Sequence, residues 1–115
     1  MKNAHVSTVT EESNASQNEG QMIAYLEDLL LRQLEKLRKY DLDKAVQIAE
    51  ESQAISEQVA KQGLLDRPEY QAERKRIQGL YQDLCLVIAS EREEVSEKLK
   101  QIREGIRALS KYGGK

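Results

Sequence analysis

The sequence predicts an all-α protein: an antiparallel hairpin of two long helices, the first free to kink near Asp41, that completes a bundle by self-association. Three observations carry this. A single Pro in 115 residues, with Glu, Gln, Lys, Leu and Ala abundant, favours long helices. Apolar residues recur at steps of three and four along most of the chain. One clear reversal signal, Lys61 to Pro68, divides the periodic region into two runs of similar length.

Residues 1–19 are polar, with Ser7, Thr8, Thr10, Ser13, Asn14, Ser16, Gln17 and Asn18. Such a segment buries too little to offset its ordering entropy, so a disordered tail is expected there and a helical domain over 20–115. In the first run Ile23, Leu26, Leu30, Leu34 and Leu37 occupy one helix face, widened by Met22, Leu29 and Leu31. Leu42, Ala45, Ile48, Ala49, Ile55 and Val59 continue the pattern to Gln62. Tyr40-Asp41-Leu42-Asp43 between them holds neither Gly nor Pro, which favours a kink over a reversal. At the turn, Gly63 suits the left-handed residue that closes a helix. Asp66 and Glu69 match a capping box, and Pro68 falls in a first turn, where its missing N–H does no harm. The last run, Arg67 to about Lys111, carries Ile77, Tyr81, Leu84, Ile88, Val95, Leu99, Ile102, Ile106 and Leu109 on one side, with Gly79 and Gly105 inside it. Each run would be roughly 60–65 Å long at 1.5 Å per residue. A last helix apolar along its whole length needs a partner of that length, which ranks the long hairpin above a three-helix bundle broken at Asp41.

Leu84-Cys85-Leu86-Val87-Ile88 is apolar all round, and Leu29-Leu30-Leu31 also overflows one seam. A helix apolar on several faces expects several neighbours. Leu29, Leu31, Leu84, Leu86 and Val87 are therefore candidates for an apolar partner surface, met by a second copy or by a client.

Composition excludes much chemistry. Cys85 alone cannot form an internal disulfide, and one Cys with one His falls short of a structural zinc site. His5 reads as an idle tail residue. Cys85 reads as a small hydrophobe, with no His to activate it. Glu91, Glu93 and Glu94 lack the Glu-x-x-His partners of a di-metal bundle, and pairs such as Glu94–Lys98 suggest a solvated face. No catalytic set, cofactor or phosphate loop is expected. A net charge of -2, from 18 basic and 20 acidic residues, argues against a nucleic-acid binder. No stretch is long and apolar enough for stable membrane insertion, and no secretory signal opens the chain, so a cytoplasmic location is the expectation.

Leu30 to Leu37 with Tyr40-Asp41-Leu42-Asp43, then Ala49 to Ile55 with Glu50, Glu51 and Gln53, then Ile102-Arg103-Glu104-Gly105-Ile106-Arg107-Ala108-Leu109-Ser110-Lys111-Tyr112-Gly113, together resemble the bacterial flagellar type III export chaperones of the FlgN kind and their FliT-like relatives. The resemblance covers Gln21 to Gly114. It implies a helical, non-catalytic, cytoplasmic chaperone that binds amphipathic helical segments of hook–filament junction subunits and delivers them to the export apparatus. It further implies client-binding roles for Leu99, Ile102, Ile106 and Leu109, and an export-gate contact for Tyr112. The alternative is a structural coiled coil in which two hairpins form a four-helix homodimer without a client.

Overall fold

The computed structural model describes residues 2–90 and 96–113, with side chains over 18–90 and 97–113. It is an all-helical bundle, as expected: α1 (Lys2–Arg38), α2 (Leu42–Gln62), α3 (Gln71–Ala89), α4 (Ser96–Gly105) and a short α5 (Ser110–Gly113). Among the described residues, the 3-10 turns Leu64–Asp66, Pro68–Tyr70 and Arg107–Leu109 link or extend them.

The rod expected over Gln21–Gln62 is instead a helical hairpin, and Asp41 marks a reversal. The chain stops α1 without glycine by placing Tyr40 in the left-handed region, at φ 61°. The Tyr40 N–H donates to the Leu37 carbonyl and the Asp41 N–H reaches back to Lys36. This is the Schellman arrangement, here built on a non-glycine residue. The Asp41 carboxylate then accepts from the Lys44 N–H at 3.4 Å and caps α2. Lys36 and Arg38 occupy the last turn of α1, where cations suit the negative dipole end.

At the second turn Gly63 has φ 63°, and its N–H bonds the Val59 and Ala60 carbonyls, as the sequence suggested. The capping box does not form. Arg67 precedes the 3-10 turn that Pro68 opens, and α3 begins at Gln71 with no side-chain cap. Asp66 instead pairs with Arg74 at 3.4 Å.

Ion pairs among the described residues mark the directions of the later helices. Glu19–Arg67 and Glu27–Arg76, both 2.7 Å, align α3 parallel to α1. Asp43–Lys98, also 2.7 Å, together with Gly105 against Ala49, shows α4 parallel to α2. As α1 and α2 are antiparallel, so are α3 and α4, and the helix expected over Arg67–Lys111 is two. Residues 91–95 lie outside the described set, with Val95 and the acidic Glu91, Glu93 and Glu94. The bundle includes Glu19, one residue before the expected boundary. Helical backbone runs through the polar segment from Lys2, while the side chains of residues 1–17, His5 among them, also lie outside the described set.

The core gathers Ile23, Leu26, Leu30, Leu34 and Leu37 of α1 with Ala45, Ala49 and Val59 of α2, Ile77, Leu84 and Ile88 of α3, and Leu99, Ile102, Ile106 and Leu109 from the C-terminal segment. Leu64 and Leu65 close it beneath the turn. The apolar excess that argued for a second hairpin is thus largely buried within one chain. No described helix is long and apolar enough to cross a membrane.

Candidate functional site: the C-terminal segment and its seat

The segment from Ser96 to Gly113 is helical in three short pieces, and all lie on the rest of the bundle. Helix α4 packs mainly on α2, the 3-10 turn after it also meets α2, and α5 meets α3. The seat on α2 is built of small residues: Ala45, Ala49, Ser52 and Ser56 are buried at steps of four, three and four, which is one helix face. Their size permits a close approach. A Cβ at Gly105 would lie 2.6 Å from the Ala49 carbonyl oxygen and 2.7 Å from its Cβ. The Gly105 that looked like a cost to a long helix is thus the point where two backbones touch.

Polar groups are buried at this contact. The Ser52 hydroxyl faces three acceptors, the Ala49 carbonyl at 3.1 Å, Gln33 Oε1 at 3.3 Å and the Gly105 carbonyl at 3.5 Å. Ser56 donates to the Ser52 carbonyl at 2.6 Å. Gln33 Nε2 finds no partner among the described residues. An unsatisfied buried donor costs about 1–3 kcal/mol, so the seat is less favourable than an apolar one of the same shape.

The four residues for which client binding was expected, Leu99, Ile102, Ile106 and Leu109, all face this interior and are buried. Tyr112 is buried too. Arg74 and Lys111 lie over its ring at 5.2 and 5.0 Å, within cation–π range, and its hydroxyl has no partner among the described residues. The adjacent Gly113 abuts the Tyr81 ring, which leaves no room for a side chain there, and its carbonyl accepts from Gln82 at 3.3 Å. Burial, with a contribution from Cys85, raises the Tyr81 phenol above its ordinary pKa. Together the five predicted residues form one inner face, and none is presented to solvent.

The residues proposed from sequence as a partner surface divide. Leu29 and Leu84 are core and Val87 is half-buried, whereas Leu31 is 50% and Leu86 70% exposed. A shallow groove of about 300 Å³ between α1 and α3 is lined by Leu31, Gly79, Leu80 and the charged Glu27, Lys75, Arg76 and Asp83. Glu27 beside Arg76 raises the guanidinium pKa further. Among the described residues, no His, Cys, Asp and Glu side chains form a group of three or more able to hold a metal.

Sequence reasoning missed the small-residue seat and the buried Gln33. Ser52 and Ser56 continue the Ala45–Ala49 stripe at helical spacing, so the signal existed in residue size and not in hydropathy. Comparison with protein-family models, with curated proteins and with solved structures returns no match.

Proposed function

We propose that the protein is a non-catalytic cytoplasmic chaperone for flagellar export. It binds amphipathic helical segments of hook–filament junction subunits and delivers them to the export apparatus. One observation carries the reading: Leu99, Ile102, Ile106, Leu109 and Tyr112 share one inner face of a terminal segment. Displacing that segment bares a client-binding stripe, the groove on α2 and α3 that it filled, and the tyrosine for the gate, all in one step. The freed stripe of Leu99, Ile102, Ile106 and Leu109 suits an amphipathic client, since it already packs against an amphipathic helix, α2, of this chain. Binding then exchanges one apolar contact for another, so affinity stays moderate and release needs no chemistry.

The test is a binding titration with purified hook–filament junction subunits, paired with an export assay. Truncation after Ser96 should abolish binding while much of the helical signal remains. Tyr112→Ala should retain binding and impair export. Binding that survives the truncation would remove the C-terminal assignment, and unchanged export by Tyr112→Ala would remove the gate role.

The second reading, a structural homo-oligomer without a client, is favoured by one specific observation, the exposure of Leu31 and Leu86.

A further inference from the structure

We infer that the outer face of α3 is a two-fold docking surface for a second copy of this chain, with Gly79 on the axis. None of its residues belongs to the C-terminal segment, so the inference stands apart from the export reading.

Ile77, Leu84 and Ile88 turn inward. At 100° per residue, Ala72, Lys75, Gly79, Asp83 and Leu86 then fall on the opposite side. Ala72, Lys75, Asp83 and Leu86 are exposed, and neither Lys75 nor Asp83 has an ion-pair partner among the described residues. Gly79 is the middle of this face, and a Cβ there would meet nothing within 4 Å. A glycine with open space beside it inside a helix costs about 1 kcal/mol relative to Ala, and nothing within the chain requires it. A second helix crossing closely at that point would.

The occupant follows from the order of the charges. In an antiparallel pair of α3 helices centred on Gly79, Lys75 comes opposite Asp83 of the second copy, and Asp83 opposite its Lys75. Ala72 comes opposite Leu86 in the same way, so each large apolar side chain meets a small one. A surface complementary to itself under a two-fold rotation is what an isologous dimer needs. Leu31 flanks the face from α1 and adds apolar area. The face from Ala72 to Leu86 is about 21 Å long. That places the contact at the small end of specific interfaces, with association in the micromolar range, roughly 1–100 µM.

The experiment is sedimentation equilibrium of the full chain across that range, with two charge reversals. The native chain should show a concentration-dependent dimer. Lys75→Glu and Asp83→Lys should each weaken association about tenfold or more, because each places like charges together twice. An equimolar mixture of the two variants should associate again, since each introduced charge then faces the other and the two unchanged residues, Asp83 and Lys75, still face each other. The double variant should dimerise like the native chain. Both positions are exposed, so each variant should keep the native helix content, which circular dichroism checks. A native chain that stays monomeric throughout would overturn the proposal. So would single reversals that leave association unchanged, or a mixture that fails to recover it.

Discussion

The first hairpin and the C-terminal segment are both helical and both packed, yet they are held differently. Helices α1 and α2 are long, meet through a leucine-rich face of α1 and a small-residue face of α2, and are joined by a turn in which the Lys36 and Leu37 carbonyls and the Lys44 N–H find partners. The C-terminal segment has a ten-residue helix, a 3-10 turn and a four-residue helix. Helices this short are marginal in isolation, so their structure depends on the seat. The segment buries Leu99, Ile102, Ile106, Leu109 and Tyr112, and makes its closest approaches through Gly105 and Gly113. Both regions bury large apolar side chains, but the segment depends also on close fit at two glycines, and that fit is easily spoiled by one added carbon.

The largest expected effect of a single substitution lies in the first region. Leu30→Ala removes a fully buried core side chain of α1 and should cost about 3 kcal/mol of global stability in denaturant unfolding. Gly105→Val comes next and should act locally. Its side chain would press on the Ala49 backbone, costing about 2 kcal/mol. Amide exchange should accelerate over 96–113 while the centres of α1 and α2 stay protected. Equal acceleration in both regions would show that the segment and the hairpin unfold as one unit.

Smaller effects sharpen the contrast at the first turn. Asp41→Ala removes the α2 cap and should cost about 1 kcal/mol. Tyr40→Gly should gain up to about 1 kcal/mol, since the residue is 51% exposed and its φ is positive. A loss of stability in that variant would mean that the ring contributes more than the strain. Smallest of all, Glu27→Gln breaks a pair whose arginine is well exposed and should change stability by less than about 1 kcal/mol, with the effect shrinking in salt.

The leucine face of α1 was legible because helical spacing and burial coincide: Ile23, Leu26, Leu30, Leu34 and Leu37 are all core. Gly63 was legible because few residues other than glycine adopt its φ cheaply. The first reversal was hidden by Tyr40, whose side chain gives no sign of a left-handed backbone. A weaker sign was present, since the core positions step by five from Leu37 to Leu42 and so leave the helical phase. No such sign separates α3 from α4. Ile88, Val95 and Leu99 are spaced by seven and four, and a helix running straight through would show the same phase. The stripe Leu99, Ile102, Ile106 and Leu109 was read correctly as apolar, but periodicity shows that a face is covered and not what covers it. Here that is α2 of the same chain, through small residues that hydropathy ranks low. The self-complementary order of Lys75 and Asp83 about Gly79 became visible only when Ile77, Leu84 and Ile88 oriented α3.

The central functional claim is that client binding requires the C-terminal segment to leave its seat. The most direct measurement compares the affinity of a purified hook–filament junction subunit for the native chain and for Gly105→Val, by calorimetric titration. Apparent affinity rises in proportion to the fraction of molecules that are open. A variant already loosened should therefore bind about tenfold tighter or more, with α1 and α2 still folded by circular dichroism. Equal or weaker binding by a folded Gly105→Val chain would contradict the claim.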